Sequence, residues 1–228
     1  MSNKPSKRYT EALTKVDSEK NYEVDDAIKV LQSFPKAKFD EAVEIAVKLN
    51  IDPKQADQAV RGSFSVPNGI GKEIRVVAFV DDSLVDAAKE AGATMAGGKE
   101  LADKIKNEAW FDFDVVIAEP KMMRVVGQLG RVLGPKGLMP SPKAGTVVPD
   151  PVKAIKEFAS GRQEYKNDSG GNVHFNIGKV SFDAGKIAEN LNAFVKHIQS
   201  VKPSGVKGNL IATISLTSTM GPGIRLAV

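Results

Sequence analysis

The chain has 228 residues, 42% of them hydrophobic, a net charge of +4 and a pI near 9.1. That length holds one large domain or two small ones, and that apolar fraction excludes wholesale disorder. Cysteine is absent, which excludes disulfides, thiolate metal sites and cysteine nucleophiles together.

Residues 1–22 are polar and of mixed charge, an arm expected to be helical near Tyr9–Val16. It has no apolar stretch of the kind a secretory signal carries, and nothing in the chain approaches the ~18 apolar residues of a membrane helix. The expectation is a soluble, intracellular protein with no membrane partner. Ala27, Ile28, Leu31 and Phe34 recur at helical spacing after Asp25 and Asp26, either of which suits a helix cap, and Pro35 ends the pattern. Next comes the clearest strand. Val43, Ile45, Val47 and Leu49 alternate with Glu44, Ala46 and Lys48, burying one face and wetting the other. Residues 52–71 read as loop.

The middle of the chain changes style. EIRVVAFV from Glu73 and FDVVIAEP up to Pro120 are nearly unbroken apolar runs, suited to strands buried on both faces of a parallel sheet. Between them SLVDAAKEAGA and GGKELADKIKN have helical composition, so a small α/β domain is predicted here. A segment rich in Gly and Pro, residues 127–149, reads as a constrained loop. A helix starts at Pro151 and stops at Gly161.

The last third returns to half-wet strands. NVHFNIGKVSF begins near Asn172, and Asp183 then heads a helix with Ile187, Leu191, Phe194, Val195 and Ile198 on one stripe. In NLIATISLTST, Leu210, Ala212, Ile214 and Leu216 are expected inward, with Ile211, Thr213, Ser215 and Thr217 outward. Similar strands in both terminal thirds predict a discontinuous outer domain, 1–67 plus 160–228, with a domain 68–159 inserted. Pro67 and Gly69 on one side and Ser160 and Gly161 on the other are the candidate hinges. The fold class is α/β, the outer domain being α+β.

The charge is unevenly placed. From Pro120 to Pro149 there are five basic residues and no acid, and from Asn190 to Val228 four basic residues and no acid. Arg131 and Lys136 therefore sit on a cationic segment that suits contact with a polyanion as well as it suits a plain basic surface. It is not a P-loop, because the G-x-x-x-x-G-K-[ST] spacing and its hydroxyl are missing. Two histidines, His174 and His197, stand far apart without cysteines, so no metal site is expected. His197 reads as structural. Phe39 beside Lys38 could stack on a base, yet residue type alone puts it in the core. No G-x-S-x-G elbow occurs, and no constellation calls for catalytic residues or a cofactor.

Three long segments then carry a resemblance: Lys38–Lys72, GRVLGPKGLMPSPKAGTV (130–147) and TSTMGPGIRL (217–226). In this order and spacing they resemble the L-one family of bacterial large-subunit ribosomal proteins, which builds the mobile stalk beside the exit (E) site. The resemblance covers essentially the whole chain. It implies a split β-α-β sandwich as the outer domain and a Rossmann-like three-layer α/β domain inserted in it. It also implies binding to large-subunit rRNA, repression through an operon mRNA that mimics the rRNA element, and help in releasing deacylated tRNA. A monomer is expected away from the ribosome.

Carried over by position, Lys38 and Phe39 match RNA contacts where the first strand begins, and Glu44 and Lys54 match polar positions nearby. Lys166, Asn167, Asp168 and His174 match a basic-polar strand near the RNA. Thr217, Thr219, Met220 and Gly221 match the recognition segment near the C-terminus. Arg131 and Lys136 are carried over as secondary contacts. Two other readings compete. A nucleotide-using enzyme would need a Gly-rich turn after the first middle strand, where Asp81-Asp82-Ser83 stands instead. A dedicated repressor outside the ribosome would use the same surface and is not separated by sequence.

Overall fold

The computed structural model describes residues 5–55, 57–108 and 110–227. The first third holds α1 (Lys7–Leu13), α2 (Val24–Gln32), β1 (Ala42–Leu49) and β2 (Arg61–Ser65). The middle holds β3 (Val76–Phe79), α3 (Val85–Glu90), β4 (Ala93–Gly97), α4 (Lys99–Glu108), β5 (Val115–Ala118), α5 (Met123–Val126), α6 (Gly130–Leu133) and α7 (Pro151–Ala159). The last third holds β6 (Arg162–Lys166), β7 (Asn172–Lys179), α8 (Ala184–Ser200), β8 (Ile211–Ser218) and β9 (Ile224–Leu226). The chain divides into two compact units. One is Met1–Arg61 with Val66–Gly71 and Tyr165–Val228; the other is Gly62–Ser65 with Lys72–Glu164. β2 and β6, where the chain passes from one unit to the other, pair as a two-stranded sheet.

The first unit is an antiparallel sheet, β7-β1-β8-β9, with α2 and α8 against one face. The alternation in β1 decides which face: Val43, Ile45, Val47 and Leu49 are buried, and Glu44, Ala46 and Lys48 are not. Phe175 of β7 stacks on Phe194 of α8 at 4.1 Å between ring centres, and Tyr165 meets both edge-on. His197 closes this cluster, its Nε2 2.8 Å from the Tyr165 hydroxyl, and burial pushes its pKa down. That agrees with the structural role expected of it.

Two irregularities interrupt the sheet, and the first corrects a sequence expectation. The pairing of β1 with β8 shifts between Lys48 and Leu49, so Lys48 faces Thr213 while Leu49 faces Ile211. Ala212 is the extra residue of a bulge, which reverses the phase before it. Ala212 is therefore exposed and Ile211 buried, the opposite of the simple alternation. The second bulge lies in β7, where Val43 faces Gly178 and Glu44 faces Asn176, leaving Ile177 without a partner in β1. The Ile177 carbonyl instead accepts from Asn190 Nδ2 at 2.8 Å.

Asn190 is fully buried on α8 and also fastens the segment Val66–Gly71. Its Nδ2 donates to the Gly69 carbonyl at 3.1 Å, and its Oδ1 accepts the Asn68 backbone N–H at 3.0 Å. Asn190→Ala would leave these three backbone groups without that partner. The expected loss is about 2–3 kcal/mol in urea unfolding, because an orphaned buried polar group costs its desolvation. A loss below about 0.5 kcal/mol, the range of ordinary surface changes, would contradict the clamp.

The second unit is a parallel sheet, β4-β3-β5, between two helical layers. Successive residues of β3 point to opposite faces, so an unbroken apolar run is required. Val77 and Phe79 pack with Leu101 and Ile105 of α4 and with Val126, Leu129 and Leu133. Val76, Ala78 and Val80 pack with Ala88 of α3 and with Ile155 and Phe158 of α7. This is the three-layer α/β arrangement expected. β4, β2, β6 and β9 are additions to the predicted elements, and residues 127–149 open on helical turns rather than loop. α2 is capped at Glu23, without a side-chain bond, and Asp25 and Asp26 fall in its first turn.

Candidate nucleic-acid interface

The outward face of the first unit's sheet is built by register. Glu44 of β1 lies between Asn176 of β7 and Thr217 of β8. Ala46 lies between His174 and Ser215, and Lys48 between Asn172 and Thr213. These rows make a face of hydroxyls, amides and single charges, free of large apolar groups. β1 is eight residues long, so the face runs roughly 25 Å from end to end.

At one end the start of β1 meets the end of β8. Thr219 is bonded to Ala42 three times: its N–H donates to the Ala42 carbonyl at 3.1 Å, its Oγ1 accepts the Ala42 N–H at 3.0 Å, and its hydroxyl donates to the same carbonyl at 3.4 Å. Thr217 Oγ1 donates to the Gly221 carbonyl at 3.2 Å, and the Gly221 N–H donates to the Ser218 carbonyl at 3.1 Å. The chain thus leaves the strand in a fixed turn over Thr219, Met220 and Gly221. Beneath it lies Glu41, whose carboxylate accepts from the Ser218 hydroxyl at 2.7 Å, the Met220 N–H at 3.1 Å and Arg8 Nη1 at 2.9 Å. Burial pushes the Glu41 pKa up, but the bonds from Ser218, Met220 and Arg8 outweigh it and hold the group below its ordinary 4.5. A depressed carboxyl stabilises the fold fully above that ordinary value. Its contribution is lost as pH falls through the lowered one.

Among the described residues only three large hydrophobic side chains are exposed, and two of them lie here: Phe39 is 54% exposed and Met220 is 53% exposed. Residue type alone would bury Phe39, and the structure corrects that expectation. Asp40 holds this segment down by accepting from the Ser181 hydroxyl at 2.7 Å, so Phe39 is presented by a fixed backbone. A groove of about 340 Å³ runs beside it, lined by Lys36, Ala37, Phe39, Asp40, Glu41, Val180 and Ser181. Lys36 and Lys38 are exposed. Apolar area held in water beside cations and hydroxyls suits a partner with planar rings, sugar hydroxyls and phosphates.

The other end is a polar turn. Asp168 Oδ1 accepts the backbone N–H groups of Gly170 and Asn172, each at 2.8 Å, and Oδ2 accepts from Asn172 Nδ2 at 3.0 Å. Chiefly through the Asn172 side chain, its pKa falls to about 2, so the turn keeps this hold down to pH values well below 3.8. Lys48 Nζ bonds the Gly170 carbonyl, and His174 Nε2 lies 3.7 Å from Asp168, an ion pair only when the imidazole is protonated. Asn167 Oδ1 accepts the Val60 N–H at 2.9 Å, a bond that ties the turn to the segment before β2. Lys166 and Lys54 are exposed, and the backbone of Lys54 is bonded to Asp52.

The carried-over residues thus fall into groups. Lys38, Phe39, Thr217, Thr219, Met220 and Gly221 gather at one end of β1, with Glu44 beside them. His174 is midway, and Lys54, Lys166, Asn167 and Asp168 belong to the segments beyond the far end. Arg131 and Lys136 are in the second unit. Arg131 lies exposed on α6, and Lys136 Nζ lies 4.2 Å over the Phe111 ring. Pro67 and Gly69 lie in the segment fastened by Asn190, and Ser160 and Gly161 end α7. Glu41 and Ser218 were missed by sequence reasoning. A signal existed: Ser218 falls in the inward phase of β8 and Glu41 continues the inward phase of β1 just before its start, where a polar residue needs a partner. No cluster of three or more His, Cys, Asp or Glu suited to a metal occurs among the described residues, and no helix there is long and apolar enough to cross a membrane.

Residues 31–222 match the model of the ribosomal protein L1p/L10e family. The chain belongs to this family. Among curated relatives of the L1p/L10e family, it is 51% identical over 223 residues to the large ribosomal subunit protein uL1 of Kosmotoga olearia, covering 98% of this chain and 96% of that one. The uL1 of Saccharophagus degradans is 50% identical and that of Thermosipho africanus 48%, each with the same coverage. Family membership agrees with the two-unit α/β architecture.

Proposed function

We propose that this protein binds large-subunit rRNA directly through the wet sheet face and the strand-end turn of its first unit. It is a structural ribosomal protein of the large subunit and of the cytoplasm, not an enzyme. The observation that carries the RNA reading is the placement of Phe39 and Met220 in water beside Lys36, Lys38 and the Thr217–Gly221 turn. Cations neutralise phosphates, hydroxyls and backbone groups meet riboses, and the two apolar side chains cover bases. No cofactor or metal takes part. On the same reading the bound protein forms the mobile stalk near the E site and takes part in releasing deacylated tRNA. The surface that holds the rRNA also holds a mimic in the operon mRNA and so represses translation. The free protein is a monomer.

The inserted domain on this reading spans 68–159, with Pro67, Gly69, Ser160 and Gly161 as its hinges. The Asn190 bonds to Asn68 and Gly69 brace the segment in which this reading sets the first hinge.

Arg131 and Lys136 act as secondary contacts. Lys136→Ala is expected to weaken binding to a full-length large-subunit rRNA transcript by about threefold, the size of one exposed phosphate contact. An effect larger than that of changes at Thr219 and Met220 would move the main site to the second unit. Calorimetry with ATP and NAD is expected to give no heat of binding; micromolar affinity for either would revive an enzymatic reading.

A further inference from the structure

Glu41 is a buried anion at the place where the proposed RNA surface begins. An acid there opposes a polyanion by its charge, and nothing in the RNA reading uses it. Its own bonds give it a different task. One carboxylate oxygen, Oε2, accepts both the Ser218 hydroxyl and the Met220 N–H, at 2.7 Å and 3.1 Å. The other, Oε1, takes Arg8 Nη1 from α1 at 2.9 Å. The backbone of the Met220 turn is thereby tied to the start of β1, and the tie is neutralised by a cation from the N-terminal helix. Ser218 is 5% exposed and Glu41 7%, so water competes poorly for these bonds. Without them the Met220 N–H would lose its partner beneath the turn, and the backbone that presents the exposed thioether would be held only at its flanks, by Thr217, Thr219 and Gly221.

We infer that Glu41 is a positioning residue for RNA binding, holding the Thr219–Met220–Gly221 turn through Ser218 and Met220 while Arg8 of α1 keeps it paired. The inference rests on the RNA reading above and adds a residue that acts without itself facing the RNA. It also gives α1 a part in binding, through one guanidinium.

The sign of the effect separates positioning from charge. Removing an acid beside a polyanion site strengthens binding if charge alone matters. Positioning predicts the reverse. Glu41→Ala is expected to bind a full-length large-subunit rRNA transcript about tenfold more weakly than wild type, the size of losing one charge-assisted hydrogen bond. Glu41→Gln keeps an oxygen that accepts from Ser218 and Met220, so it is expected to recover to within about threefold of wild type. Ser218→Ala, which retains the carboxylate, reports on the same tie should Glu41→Ala fail to fold, and its expected loss is smaller than that of Glu41→Ala.

Hydrogen exchange at the Met220 amide, followed by NMR in the full chain without RNA, reads the tie itself. Protection is expected to fall in Glu41→Ala and persist in Glu41→Gln. Equal or tighter RNA binding by a folded Glu41→Ala, with Met220 protection unchanged, overturns the inference. Lost Met220 protection in a protein whose RNA affinity is indifferent to Met220 overturns the RNA reading, while Glu41's hold on the turn stands.

Discussion

Thr219→Ala combined with Met220→Asp is expected to lower affinity for large-subunit rRNA by about 100-fold or more, because a carboxylate set against phosphates costs several kcal/mol. The two changes act on different parts of the turn. Thr219 Oγ1 accepts the Ala42 N–H, so alanine removes the side-chain bonds that join the start of β1 to the end of β8 and leaves the backbone bond in place. Met220 is 53% exposed, so aspartate there costs the free fold little and sets a charge on the surface proposed to meet the polyanion. Filter-binding titration measures the loss, and an unchanged thermal unfolding curve shows that the fold is intact. The salt dependence of binding should keep its slope, since no cation has been removed. Near-native affinity would count decisively against this site.

Gly221→Val is expected to be the next most damaging single change. The glycine's φ is ordinary, so the constraint is space. A Cβ at this position would lie 2.5 Å from Ser218 Oγ and 3.1 Å from the Phe34 ring. Ser218 cannot yield freely, because its hydroxyl is bonded to Glu41, and Phe34 is buried where α2 ends. Overpacking of this kind costs about 1–3 kcal/mol of stability. The strain falls on the turn that carries Met220, so RNA affinity should drop by about tenfold or more, at roughly 1.4 kcal/mol per factor of ten. A valine variant of native stability and native affinity would show that the turn adapts. That result would remove the rigidity on which the site depends.

How much of this was legible in the sequence follows from the physics of each element. In β1 the alternation of Val43, Ile45, Val47 and Leu49 with polar residues has one structural solution, and the structure adopts it. The unbroken runs of β3 and β5 likewise require cover on both faces, which the two helical layers supply. β4 was hidden because Ala93–Gly97 is short and made mostly of small residues. It is a strand because β3 lies beside it, a tertiary cause that a window of sequence does not contain. β2 and β6 were hidden because they pair only with each other across about a hundred residues of chain. The phase of β8 failed at Ala212, since a bulge shifts inward and outward without any local residue pattern to announce it.

The candidate site divides in the same way. Resemblance singled out Lys38, Phe39 and the Thr217–Gly221 segment, whereas composition and charge alone did not. The structure adds the reason for their proximity, the antiparallel pairing of β1 with β8 that sets Val43 opposite Ser218. It also adds Glu41 and Ser218, legible only as polar residues in an apolar phase. The two lysine-bearing segments beyond the far end of β1, around Lys54 and Lys166, are distant from that turn along the strand. On the proposed reading the RNA face is long enough to include both.

Co-sedimentation tests the central claim most directly. Large subunits stripped of this protein are mixed with the purified full chain at moderate salt and pelleted. Wild type is expected to pellet with the subunits, while the Thr219→Ala, Met220→Asp variant stays in the supernatant. Pelleting of the variant as completely as wild type, or failure of wild type to pellet at all, would contradict the account.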